Sequence, residues 1–428
     1  MSKIRVLVFP CGSEIGLEVY NSVHHSTHFE LFGLNSVDDH GKYVYENYID
    51  GIGFINDFNF IDKLNEIIKI NKIEIIYPTM DSVISFLKKN ESLIHAKILG
   101  SSYETASICE SKLRTYELLN PVVKCPKIFK SSSVELKFPL FSKPIVGYGS
   151  RNTKKILKKD ELVDFDFNNN LLLEFLPGDE YTIDCFTNLD GNLIFVGARE
   201  RHRTMNGISV NTKSNKLLSL EFKNIANKIN NIVKFKGSWF FQMKRDINNE
   251  HVLLEIACRF AGSSSVHRIK GINFALSNLF LEFGKSIDFL INDFEVELDR
   301  CLSSDYKINL SYNTVFIDYD DTIILNEKVN LDAIRFLFHC INNNKEVILI
   351  TKHSGNLLNS LECYKISQIF KKIIHLKSFE EKSDIILDNL TTSSIFIDDS
   401  FEERNKVYLN TGIPVFSPDS LCALLNVN

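Results

Sequence analysis

Apolar and polar positions alternate between two rhythms over residues 1–105. Arg5-Val6-Leu7-Val8-Phe9-Pro10 is a short continuous apolar run, the pattern of a strand buried on both faces. Gly12-Ser13 follows, and Glu14 to Val23 has helical periodicity. Ile73 to Pro78 predicts a second strand with a helix from Ser82 to Lys89 behind it, and Lys97-Ile98-Leu99-Gly100 predicts a short third strand. Strands alternating with helices predict a parallel sheet. From Thr105 to Leu298 the pattern becomes mixed. Strand-like runs lie at 138–143, 171–176, 181–187, 192–198, 238–246 and 251–258, with helical patterns at 109–119, 218–233 and 272–286.

Cys301 to Tyr306 breaks the pattern, which then restarts. Strands are predicted at 314–317, 346–350 and 394–397, and helices at 331–342, 356–372 and 380–389. The segment 313–428 therefore reads as a compact doubly wound α/β domain. A chain of 428 residues leads to an expectation of roughly three domains, at about 150 residues each. The divisions predicted are 1–105, 106–300, a linker over 301–312, and 313–428.

Composition narrows the class. With 44 % hydrophobic and 24 % charged residues the chain is globular, and a net charge of -5 lacks the basic excess of a nucleic-acid binder. The nine cysteines are scattered and never form a C-x-x-C pair, which argues against a zinc ribbon or a disulfide framework. The N-terminal apolar run is too short for a signal peptide, and no run of 18 apolar residues suggests a membrane span. The expected compartment is a reducing cytoplasm, with no membrane partner.

Val315-Phe316-Ile317-Asp318-Tyr319-Asp320-Asp321-Thr322 places acidic groups at the end of an apolar strand, and Ile395-Phe396-Ile397-Asp398-Asp399 repeats the device. Ligands bind at the carboxyl ends of strands in open α/β sheets. Carboxylates packed together need a neutralising cation, and an all-oxygen set suits Mg²⁺. These residues resemble the haloacid dehalogenase-like (HAD) phosphohydrolases, whose first motif is DxDxT/V. The resemblance implies that Asp318 is the nucleophile and Asp320 the general acid/base. It assigns Thr351, after Ile348-Leu349-Ile350, and Lys382 to charge stabilisation, with Lys377 as the alternative lysine. Asp318, Asp320, Asp398 and Asp399 are its metal set. Neither interval between Asp318, Thr351 and Lys382 has room for a cap domain. His353, beside Thr351, reads as a surface-loop residue or a substrate contact.

In the middle segment, Phe141-Ser142-Lys143-Pro144 ends a strand before Gly147-Tyr148-Gly149, a lysine beside a glycine-rich loop suited to phosphates. Leu173 to Asp184 contains Glu174, Leu176 and Glu180. Trp239 to Lys244 and Leu253 to Arg259 carry Gln242 and Glu255 amid apolar neighbours. An isolated buried glutamate is costly unless paired or metal-bound, which makes Glu255 a ligand candidate. Together these resemble an ATP-grasp domain of the carbamoyl-phosphate-synthase-like type, preceded by the Rossmann-like domain of that superfamily. The resemblance places Lys143, Gly147, Gly149 and, more weakly, Lys112 on the ATP phosphates. It places Glu174 and the Leu176 backbone beside adenine, and Glu180 on the ribose. Gln242 and Glu255 take the Mg²⁺ positions, and Arg259 faces the acyl phosphate or substrate carboxylate. The family's E-x-N-P-R reads Glu255-Ile256-Ala257-Cys258-Arg259 here, so the asparagine ligand is replaced by Ala257.

Arg199, Arg201 and Arg203 form a basic stretch that reads either as a solvated β-turn or as a pocket for an anionic acceptor. Asp81 is a candidate substrate contact. Gly12 to Gly16 reads as a tight strand-to-helix turn in preference to a nucleotide loop. The function expected is bifunctional. One part is an ATP-dependent carboxylate–amine ligase with an acyl-phosphate intermediate, using ATP and Mg²⁺ or Mn²⁺. The other is a Mg²⁺-dependent phosphomonoesterase acting on a related phosphorylated metabolite. The alternatives are an ATP-grasp kinase with the phosphatase, or one domain reduced to a regulatory binding module. The expected partners are a small-molecule carboxylate, an amine and a phosphorylated metabolite, with a homodimer left open.

Overall fold

The computed structural model describes residues 3–130, 136–147, 151–205, 207–304, 306, 308–391 and 393–426. It divides into two compact units, Met1–Leu302 and Ser303–Asn428. No described helix is long and apolar enough to cross a membrane. None of the nine cysteines is in a disulfide.

The first unit opens with a parallel five-stranded sheet of β1 (Ile4–Phe9), β2 (Phe29–Leu34), β3 (Asn47–Ile49), β4 (Ile75–Pro78) and β5 (Lys97–Ile98), in the order β3-β2-β1-β4-β5. The order reverses between β1 and β4. That crevice is where helices Glu14–Val23 and Asp81–Lys89 begin. Ser13 caps the first helix, its Oγ accepting from Gly16 N at 2.9 Å, so Gly12 to Gly16 is a strand-to-helix turn.

Two further sheets follow. One holds β6 (Ile128–Phe129), β7 (Leu140–Pro144), β8 (Lys154–Ile156) and β9 (Asn170–Glu174) in the order β6-β9-β7-β8. The other is built from β10 (Glu180–Thr187), β11 (Leu193–Met205), β12 (Ile208–Asn215), β13 (Gly237–Arg245), β14 (His251–Ala257) and β15 (Glu297–Asp299), in the order β14-β13-β10-β11-β12-β15. Helix Lys216–Val233 seals one face of this sheet with Phe222, Ala226 and Ile229, against Trp239 and Phe241. Phe186 and Phe195 of the same sheet share a core with Val6, Val8 and Phe274. Segments 1–105 and 106–300 thus pack as one unit.

The second unit has a parallel sheet of β16 (Thr314–Ile317), β19, β20, β21 and β22, plus a small hairpin of β17 (Ile324–Leu325) and β18 (Lys328–Val329). Here β19 is Glu346–Thr351, β20 Lys372–His375, β21 Ser394–Ile397 and β22 Val415–Phe416. The order is β20-β19-β16-β21-β22.

Several sequence expectations are corrected. The helix expected over 356–372 stops at Cys363, because Lys365 takes a left-handed φ of 63° and Lys372–His375 joins the sheet beside β19. The helix expected at 109–119 is two helices, Tyr103–Glu110 and Lys112–Leu119. Ser111 between them is extended and caps the second. The helix expected at 272–286 is Phe274–Glu282, ending before Gly284 at φ 72°. The strand expected at 192–198 runs on to Met205, so the arginine-rich stretch is strand and not turn.

Candidate functional site

The first unit contains two adjoining clefts of about 160 and 250 Å³ that share part of their lining. Lys112, Lys143, Gly147, Glu174, Leu176, Glu180, Gln242 and Glu255 all line the first. Tertiary structure gathers them from four elements: the helix at 112–119, β7, the β9–β10 turn, and the β13–β14 pair. Gly149 lies outside the described residues.

Lys143 is buried at the edge of β7, where Nζ donates to the Leu254 carbonyl at 2.9 Å and lies over the Tyr116 ring. Burial pulls its pKa down to about 7, against the opposing field of Glu255. Lys112 donates to the Gly147 carbonyl at 2.7 Å, tying its helix to the loop after β7. Glu174 accepts from Lys127 N at 2.8 Å. Glu180 is contacted by Arg201 and lies 3.5 Å from Lys244 Nζ.

Gln242 and Glu255 are direct cross-strand partners in the antiparallel β13–β14 ladder, which puts both side chains on one face. Both are half-buried, not enclosed, so the cost expected of a fully buried Glu255 does not arise. The carboxylate faces the clefts, where one carboxylate and one amide oxygen could hold a divalent cation. Ala257 is buried and brings no ligand atom.

The second cleft is lined by Asp81, Arg199, Arg201 and Arg259, and shares Arg201, Gln242 and Glu255 with the first. It sits at the crevice where the first sheet reverses its order, beside Ser13, Glu14 and Thr79. Asp81 is not isolated: it grips Arg259 by two contacts of 2.9 and 2.7 Å. Burial works against the charge of Arg259, but Asp81 more than compensates and raises its pKa.

The three arginines have different surroundings. Arg199 is buried against Asp184 at 2.6 Å and donates to Ser263 Oγ at 2.7 Å. Asp184 also meets His267 at 3.1 Å. Despite burial, Arg199 and His267 hold its pKa below the ordinary carboxylate range. Arg201 is 6 % exposed, and its Nε has no hydrogen-bond partner among the described residues. Arg203 lines neither cleft. The register shifts between Arg201 and Arg203, and Arg203 pairs with Asp299 at the surface. The structure thus brings Arg199 and Arg201 to the second cleft and leaves Arg203 outside it.

Lys244 also lines the first cleft, a role the motif residues alone do not assign it. It lies two residues beyond Gln242 on the same strand, and period-two spacing was the signal that would have found it. Glu14, at the mouth of the second cleft, had no such signal.

In the second unit, β16 is flanked by parallel β19 and β21, with Ile317 level with Leu349 and Ile397. The residues that follow these strand ends therefore meet. Asp318, Asp398 and Asp399 each offer an oxygen within 4.8 Å of the others. Lys382, at the start of helix Lys382–Asp388, lies 2.6 Å from Asp398 Oδ2 and 2.8 Å from Asp318 Oδ1. The second contact supplies charge but is off the line of a hydrogen bond, and that buried oxygen has no well-directed donor among the described residues. Lys377 lies over Phe379 instead.

Burial raises the pKa of Asp318, and burial together with the Asp318 charge raises Asp398 to about 6. For Lys382, burial works downward, but the two carboxylates push its pKa up. The crowding and the undirected Asp318 oxygen fit a cation-binding site. Thr351 is buried at the end of β19 and helps hold Asp318 ionised. Asp320 is half exposed and meets His353.

The family model for "ATP-grasp in the biosynthetic pathway with Ter operon" matches residues 166–293. No curated protein matches the chain. Solved structures share the fold. Biotin carboxylase from Campylobacter jejuni, in a complex with β-γ-ATP, is 15 % identical over 67 % of this chain and 72 % of its own, with a TM-score of 0.56. N5-carboxyaminoimidazole synthetase from Staphylococcus aureus is 17 % identical over 67 % and 79 %, with a TM-score of 0.55. An L-amino acid ligase from Bacillus licheniformis is 15 % identical over 65 % and 73 %, with a TM-score of 0.52. The chain thus contains an ATP-grasp fold.

Proposed function

We propose that the first unit is an ATP-dependent carboxylate–amine ligase and the second a HAD-type phosphomonoesterase. In domain terms, 1–105 is a Rossmann-like domain, 106–300 the ATP-grasp domain, 301–312 a linker and 313–428 the phosphatase. The observation that carries the ligase reading is the convergence of two lysines, Glu174, Glu180, Gln242 and Glu255 on one cleft that opens into a second, arginine-lined one.

In this reading Lys143 and Lys112 offset phosphate charge, Glu174 and the Leu176 backbone seat adenine, and Glu180 takes the ribose. Arg259, held by Asp81, orients the acceptor carboxylate. A carboxylate oxygen attacks the γ-phosphorus and ADP leaves. The amine then attacks the acyl phosphate, releasing inorganic phosphate and a proton. Orientation across the two clefts supplies much of the rate. Glu255 with Gln242 would hold Mg²⁺ or Mn²⁺, which offsets phosphate charge. With Ala257 in the asparagine position, one ion is the expected complement.

In the second unit, Asp318 attacks phosphorus and Asp320 passes a proton to the leaving oxygen. Lys382 and Thr351 stabilise the charge that develops. Asp318, Asp398 and Asp399 would hold Mg²⁺; Asp320, which the resemblance adds to that set, lies outside the cluster and meets His353 instead. The test of the ligase is product analysis with hydroxylamine present. ADP and a trapped hydroxamate support it, whereas AMP with pyrophosphate rejects it.

A further inference from the structure

We infer that His353 is a positioning residue for the phosphatase reaction, orienting Asp320 toward the leaving oxygen. This rests on the phosphatase reading above. The Nδ1 of His353 lies 2.9 and 3.0 Å from the two carboxylate oxygens of Asp320. Asp320 follows β16 with its backbone bridged to Ile324, but its side chain is 50 % exposed, and His353 is the partner its carboxylate meets among the described residues. The imidazole, by contrast, is held from several sides. Its backbone N–H donates to Thr351 Oγ1 at 3.2 Å, and its carbonyl accepts from His375 Nε2 at 2.7 Å. The ring meets the Tyr319 ring edge-on at 5.2 Å, and Tyr319 is anchored to Ser360 by a 2.7 Å hydroxyl contact. Gly355 passes so close that an added Cβ would lie 2.9 Å from His353 Nε2.

A mobile carboxyl is a poor general acid, because the proton must reach a leaving oxygen in a narrow range of directions. An Nδ1–H shared by both Asp320 oxygens fixes the plane of the carboxyl group and so the direction in which its proton is delivered. The step balances. The Asp318 oxygen bonds to phosphorus as the ester P–O bond breaks, and Asp320 protonates the departing alkoxide. Asp320 then takes a proton from the water that cleaves the aspartyl phosphate.

The test compares a phosphomonoester with a basic alkoxide leaving group, glycerol 2-phosphate, against 2,4-dinitrophenyl phosphate, whose leaving group needs no proton. General-acid assistance is worth about 10²- to 10⁴-fold. His353→Ala should lower kcat/KM, which reports transfer to Asp318 and not the later hydrolysis common to both esters, by about 10²-fold on the alkyl ester and by less than about 3-fold on the dinitrophenyl ester. His353→Asn, whose amide N–H mimics Nδ1–H, should recover part of the loss. A near-normal kcat/KM on the dinitrophenyl ester also shows that the variant is folded. An equal loss on both esters, or no loss on either, overturns the inference. Asp318→Asn separates the two ideas. It should abolish turnover of both esters, and hydrolysis that survives it overturns the phosphatase reading and the inference with it.

Discussion

Binding of a nucleotide triphosphate to the first unit should be accompanied by proton uptake on Lys143. In the free protein this amine is buried and its pKa is about 7, against an ordinary 10.5. One pH unit above that value, at pH 8, about nine-tenths of the amines are neutral; at pH 6 about one-tenth are. A phosphate group docked against the amine favours the ammonium form and raises its pKa well past 8. The uptake should therefore be about 0.9 proton per nucleotide at pH 8 and about 0.1 at pH 6. The sign in the free protein runs the other way. Between pH 7 and 10.5 the unfolded chain holds a proton that the folded one lacks, so this group's contribution to stability rises with pH across that window. The assay is isothermal titration calorimetry of a non-hydrolysable ATP analogue with saturating Mg²⁺, in buffers of different ionisation enthalpy. The slope of observed enthalpy on buffer enthalpy gives the proton count, and the difference from Lys143→Met isolates this residue. A pH 8 slope that is zero, or that the substitution leaves unchanged, refutes the placement of phosphate on Lys143.

Other outcomes follow from the same geometry. Glu255→Ala should lose the rise in melting temperature that Mg-nucleotide gives the wild type, since a ligand stabilises only the state that binds it; an undiminished rise places the metal elsewhere. Asp184→Ala should cost about 3–5 kcal/mol in urea unfolding of the first unit's transition, because it strands the buried Arg199; a loss under about 1 kcal/mol would show that water reaches the guanidinium. Asp318→Asn should remove phosphatase activity and leave hydroxamate formation intact, checked by assaying both reactions on one preparation.

Much of this protein can be read locally. The strand at 314–317 and helices at 14–23 and 331–342 match their apolar patterns residue for residue, because burial on one face or two dictates a period that sequence displays directly. The motif residues Lys143, Gln242, Glu255, Asp318 and Asp398 stand out for the same reason: a charged or polar group amid apolar neighbours carries a cost that demands an explanation.

Partners and exposure were decided only by the tertiary structure. Nothing local says that Asp81 would grip Arg259 across 178 positions of sequence, or that Arg199 would be consumed by Asp184 while Arg201 keeps an unpartnered Nε. The choice of Lys382 over Lys377 depends on which helix start faces the β16 and β21 ends. The strand at 29–34 buries Phe29, Leu31, Phe32 and Leu34 and has a local apolar pattern of its own, whereas the strand at 208–215 is largely polar and owes its form to its partners in the sheet. The helix expected over 356–372 failed for the converse reason: Ile373 and Ile374 complete a parallel sheet, and long-range pairing outweighed local periodicity. Periodicity reports how a segment meets a core. Which core, and against which side chain, is set by contacts between segments far apart in the chain.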